Sequence, residues 1–201
     1  MPTRLRVDLA GYHHIINRGV NRCNVFNHDS DKDMFLQIIN KAATLEKVTL
    51  HDYVLMDNHY HFLIETTKEN LSIFMRSVNA NYAKYFNKKY SRSGHLWQDR
   101  YKSKYITTQN YLYVLLRYIE NNPIEAGLCE NIGEYPYTFA HSIYKARDIF
   151  PCSNASILIN EFDIHTLSEF LDKKITKKEL DFLKEKQKQK IIKKAFSRTF
   201  R

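Results

Sequence analysis

The sequence predicts an α+β fold: a ferredoxin-like β-α-β-β-α-β antiparallel sheet with helices on one face, plus a helical, basic C-terminal extension. Three observations lead there. Stretches of strand character occur at 11–18, 50–55, 59–65 and 101–106. Two longer stretches with apolar residues at helical spacing separate the first strand from the second and the third from the fourth, which is the ferredoxin-like order. From Lys173 to Arg201 there are twelve Lys or Arg and three Asp or Glu, so the whole formal excess of +9 lies at that end and the body is balanced.

Composition narrows the class. At 201 residues and 43% hydrophobic, the chain can build one core and a modest appendage, not two full-sized domains. The expected division is a catalytic unit over 1–150 and an extension over 151–201, with 151–154 as the linker. Cys23, Cys129 and Cys152 form an odd, scattered set without a CxxC, which indicates neither a disulfide framework nor a cysteine zinc site. There is no secretory signal pattern and no apolar run fit to span a bilayer, so a cytoplasmic protein with no membrane partner is expected. The basic end is suited to nucleic acid, and equally to a solvated helix face.

Along the chain, alternation puts Tyr12, His14 and Ile16 on one face of the first strand and His13, Ile15 and Asn17 on the other. Ser30 and Asp31 are placed to cap a helix with a stripe of Met34, Phe35, Ile38, Ile39, Ala42 and Leu45. In the third strand Tyr60, Phe62 and Ile64 should face the core. That leaves His59 and His61 side by side on the opposite face, half of a metal site or simply a pair of hydrogen-bonded histidines. A second helix is expected over 69–90. A third should run over 109–121, with Pro123 as its stop. There Tyr111, Leu115, Tyr118 and Asn122 share a stripe, Leu112, Leu116 and Ile119 should bury, and Tyr118 sits at the apolar rim. A short helical segment should reach about Arg147. The capping-box pattern at 176–179 should open a lysine-rich helix running to about Ala195.

Four segments together resemble the IS200/IS605-type single-tyrosine transposases of the HUH superfamily, a group that includes the REP-associated transposases. They are 12–19 (YHHIINRG), 56–61 (MDNHYH), 94–101 (GHLWQDRY), and 117–123 (RYIENNP) with 126–128 (AGL), in order across roughly 8–130. The resemblance implies a transposase that cleaves single-stranded DNA at hairpins in imperfect palindromes. It would do so through a 5′-phosphotyrosyl intermediate and then rejoin ends. It implies Tyr118 as nucleophile and His59, His61 and Asn122 as ligands of one Mg²⁺ or Mn²⁺. It is compatible with a homodimer or a monomer, and with association with the nucleoid when DNA is bound. Arg18, Arg22, Arg100, Lys102 and Lys104 are candidate phosphate contacts, and Trp97, Tyr101 and Tyr105 candidate stacking partners. His13 or His14 could lie near the metal, though a packed or solvated histidine is the commoner fate. Alternatives are a catalytically inactive nucleic-acid-binding regulator, or another HUH enzyme such as a replication initiator or relaxase.

Overall fold

The computed structural model describes residues 9–146 and 149–188. Strand β1 (Gly11–Arg18), helix α1 (Asp29–Glu46), β2 (Val48–Met56), β3 (His59–Thr66), α2 (Leu71–Lys89) and β4 (Lys102–Tyr105) follow the expected order. The sheet order is β2-β3-β1-β4 and every neighbouring pair is antiparallel, so β1 and β3 are its central strands.

One face of the sheet carries Ile15, Tyr60, Phe62 and Ile64, all fully buried beneath α1 and α2. The Phe35 ring of α1 packs 5.1 Å from that of Tyr60, and the Tyr60 hydroxyl donates to Asn79 of α2 at 2.9 Å. Removing side chains of this size from water contributes roughly 1.5–3 kcal/mol each. In α1 the buried stripe is Phe35, Leu36, Ile39, Ala42 and Ala43. Met34 and Ile38 lie at its margin, and Leu45 is 77% exposed. The face turned to the sheet is therefore rotated by about one position from the expected one. Asp31 caps α1 from inside its first turn. Its carboxylate accepts the backbone N–H groups of Asn27 and His28, and also binds Tyr85 and Lys89 of α2 and Tyr90 just past its end.

A third helix, α3 (Gln109–Glu125), covers the opposite face of the sheet. It does not stop before Pro123 but runs through it. The missing proline N–H leaves the Ile119 carbonyl without its helical donor. The Asn122 side-chain Nδ2 donates to that carbonyl at 3.2 Å and to the Tyr118 carbonyl at 2.6 Å.

Helices α4 (Phe139–Tyr144), α5 (Ile157–Asn160), α6 (Ile164–Leu171) and α7 (Lys177–Lys188) complete the described chain. Arg147 lies outside the described residues, as does the expected run of α7 to Ala195. The capping box forms: Glu179 accepts the Thr176 backbone N–H at 2.8 Å, and the Thr176 hydroxyl accepts that of Glu179 at 3.2 Å. The last helices pack on the body. Leu158, Leu167, Leu171 and Leu183 join the same core, and the Ser156 hydroxyl donates to the His51 carbonyl of β2. Arg117 of α3 is bound by Glu179 and by the Lys173 carbonyl.

Candidate metal and nucleophile site

β3 begins after the two-residue turn Asp57–Asn58, whose carbonyls accept the N–H groups of Gly19, Val25 and Phe26. Gly19 has no room for a side chain: a Cβ would stand 2.2 Å from the Cys23 carbonyl oxygen. The 19–26 loop therefore closes tightly over the start of β3 and fixes the strand that carries both histidines.

His59 and His61 project from the α3 side of the sheet, with ring centroids 5.2 Å apart. His59 is half-buried, and its Nδ1 lies 2.6 Å from the Asn58 side-chain oxygen. His61 is buried, and its Nδ1 lies 3.0 Å from Nε2 of His14 on β1. Burial, then the nearby Arg18 charge, pushes His59 down to about 4. Burial first, then His14, His59 and Arg18, lowers His61 well below the ordinary histidine value. Both rings are therefore neutral at pH 7, the form in which imidazole binds a metal. His14 is a packed neighbour of the pair, also held neutral by burial, at about 3.

The Tyr118 ring of α3 stands edge-on to His61 at 5.7 Å and to His14 at 6.3 Å. Asn122 lies one turn further along the same helix. With its Nδ2 spent on the Tyr118 and Ile119 carbonyls, the oxygen of that amide is the atom left to face a cation. The donor chemistry fits a divalent cation: two neutral imidazoles and one amide oxygen, completed by substrate. Among the described residues, no cluster of three imidazole, thiolate or carboxylate groups is arranged to hold a metal ion.

Strand register places Arg18, Lys102 and Lys104 on the histidine side of the sheet. Arg18, Arg100 and Lys102 line one small cleft of about 70 Å³ with Ile16, Asn17, Gln98 and Asp99. Arg22 is exposed on the loop beside the Asp57–Asn58 turn, where its carbonyl accepts from Asn58. Tyr101 is buried, only 6% exposed, which weighs against its ring as a stacking surface. Trp97 is half-buried: its ring packs near Phe35, Tyr60 and Tyr82, and its Nε1 donates to the Asn79 carbonyl. Tyr105 packs edge-on to His13 and donates to the Ala10 carbonyl.

Sequence reasoning missed the role of Asn58, and it left open whether His13 or His14 would lie beside the pair; His14 does. Asn58 stands beside His59 in the chain, but its role depends on the turn. The His14 contact depends on the register between β1 and β3, which pairs His14 with Leu63 and Ile16 with His61.

A histidine pair on a central strand is thus faced by a tyrosine-bearing helix, and comparison with known proteins gives the family, a class of DNA-processing enzyme. The family model "Transposase IS200 like" matches residues 9–122, and the chain belongs to that family. Among solved structures, a REP-associated tyrosine transposase bound to a REP hairpin matches with a TM-score of 0.59 at 17% identity, over 82% of this chain and 96% of that one. A candidate transposase from Deinococcus radiodurans R1 matches with a TM-score of 0.42 at 20% identity, over 60% of this chain and 96% of that one. No curated protein gives a significant match. Among the described residues, no helix is long and apolar enough to cross a membrane.

Proposed function

We propose that this transposase cleaves single-stranded DNA beside a hairpin and rejoins the ends, using Tyr118 as the nucleophile and His59, His61 and Asn122 to hold one Mg²⁺ or Mn²⁺. The observation that carries this reading is the Tyr118 ring 5.7 Å from His61 within one chain. The phenol oxygen forms a bond to phosphorus as the bond from phosphorus to the 3′-oxygen breaks. This leaves a 5′-phosphotyrosyl link and a 3′-hydroxyl. Attack by a second 3′-hydroxyl reverses the exchange on a new end, with the bond energy conserved and no nucleotide cofactor consumed. When bound, the cation supplies polarisation of a non-bridging oxygen and orients the scissile phosphate. His59 and His61 contribute fixed, neutral ring nitrogens. Arg18, Lys102 and Lys104 supply positive charge on the phosphate side, and Arg22 and Arg100 lie where a flanking strand could run.

The hairpin partner is supported by the REP hairpin held by the solved relative. A cytoplasmic protein that joins the nucleoid through DNA accords with this reading. The test is a cleavage assay on hairpin-bearing single-stranded DNA with Mn²⁺. The wild type should give a covalent protein–DNA band, and Tyr118→Phe should bind the DNA without forming it. Binding with no adduct from the wild type would instead identify a regulator that does not cut.

A further inference from the structure

The two helices that cover the core face of the sheet differ in charge. Helix α1 carries Asp29, Asp31, Asp33 and Glu46 against Lys32 and Lys41. Helix α2 carries Arg76, Lys84, Lys88 and Lys89, and no Asp or Glu. Lys89 turns inward to Ser30 and Asp31. Arg76, Lys84 and Lys88 are exposed, as is Arg92 just past the helix, whose guanidinium lies over the Phe86 ring at 5.5 Å. Among the described residues, none of these four exposed cations forms an ion pair. Lys84 and Lys88 stand four positions apart, a like-charge spacing that weakens a helix on its own and is relieved by a polyanion.

The exposed face of α2 has no aromatic residue. Phe74, Tyr82 and Phe86 are buried, and Tyr85 is half-buried with its hydroxyl on Asp31. Surfaces for single strands combine cations with aromatic platforms for unstacked bases. Cations alone on a rigid helix suit the regular phosphates of a duplex. From Arg76 to Lys88 the helix rises about 18 Å, roughly half of one 34–36 Å turn of duplex DNA.

The face also leads to the candidate site. Asn79 of α2 meets Tyr60, and Tyr82 reaches the Val25 carbonyl beside the Asp57–Asn58 turn, so α2 runs toward the end of the sheet where His59 stands. The chain then returns through Leu96 and Gln98, which bond to Val20 and Arg18, and Arg18 stands opposite His59. A strand leaving α2 can round that end of the sheet past Arg92 and Arg100 to reach the histidine side.

We propose that the exposed face of α2, continued by Arg92, seats the duplex stem of the hairpin, so that stem and reacting phosphate lie on opposite faces of the sheet. Arg76, Lys84 and Lys88 contact phosphates there without reading bases. This inference rests on the hairpin substrate proposed above.

Fluorescence anisotropy over a salt series tests it, using the full chain on two DNAs: a hairpin without single-stranded tails, and an unstructured strand of equal length. With Arg76→Ala, Lys84→Ala and Lys88→Ala combined, the slope of log affinity against log salt on the hairpin should fall by about 0.9 per residue replaced, with no change on the strand. The three side chains are exposed and Ala is the best helix former, so the fold is kept. Lys41→Ala, equally exposed on α1, should alter neither slope. An unchanged hairpin slope, an equal fall on both DNAs, or a fall of the same size from Lys41→Ala would overturn the α2 seat alone. A wild-type chain that binds the hairpin no better than the strand would overturn the hairpin reading and this one with it.

Discussion

Tyr118 and His61 face each other inside one chain, ring edge to ring face, at 5.7 Å. On the proposed reading, with Tyr118 as the nucleophile, this contact lets one chain assemble the site without a second copy. Mixing a His61→Ala chain with a Tyr118→Phe chain should therefore restore no adduct formation, measured on labelled hairpin DNA. Recovered activity would mean that two chains share their sites as a homodimer.

Asn122 serves the helix, whatever its part in the proposed cation site. Its Nδ2 stands in for the N–H that Pro123 lacks. Asn122→Ala should cost about 1 kcal/mol, the usual worth of such a hydrogen bond. Adding Pro123→Ala should recover most of that loss, because the new backbone N–H can reach the Ile119 carbonyl. Urea midpoints read the stability change. Mn²⁺ affinity, measured by calorimetry, should stay reduced in the double variant.

The same residue shows where the sequence stopped being legible. Period-two alternation was enough to put Tyr60, Phe62 and Ile64 in the core and the histidines on the other face, because a pleated strand leaves no alternative. The end of α3 was not legible. A proline normally disfavours helical geometry in its predecessor, and here the helix continues through it with Pro123 buried and the Asn122 side chain bonding the carbonyl that lost its donor. The α1 stripe was read one position off, since Leu45 has the right spacing but the last turn gives it nothing to pack on. The His14–His61 contact spans 47 positions and exists only once β1 pairs with β3.

Asp52 and Glu120 are fully buried against each other between β2 and α3. Burial, then Glu120, holds Asp52 well above the ordinary carboxylate range, and burial raises Glu120 to about 7. Between the ordinary carboxylate range and these raised values the folded chain binds more protons than the unfolded one. The pair's stabilising effect is therefore greatest in acid and declines as pH rises through that window. Asp52→Asn should remove much of the decline, gaining roughly 1–3 kcal/mol at pH 8 relative to pH 5. Urea melts of wild type and variant at the two pH values measure it.

Arg18 and Lys102 stand exposed on the histidine side of the sheet. If each meets a phosphate, replacing either with Ala should lower the slope of log affinity against log salt by about 0.7, the single-strand value per contact. Fluorescence anisotropy on the hairpin substrate over a salt series gives that slope. Tyr101→Phe should leave it unchanged, since the ring is buried.

Arg117, bound by Glu179 and the Lys173 carbonyl, is the immediate neighbour of Tyr118. The C-terminal helices thus act as a brace on the segment that delivers the phenol. A change that pulls Glu179 or the Lys173 carbonyl away from Arg117 would loosen the turn of α3 that carries the Tyr118 ring, even though it lies far along the chain from either histidine.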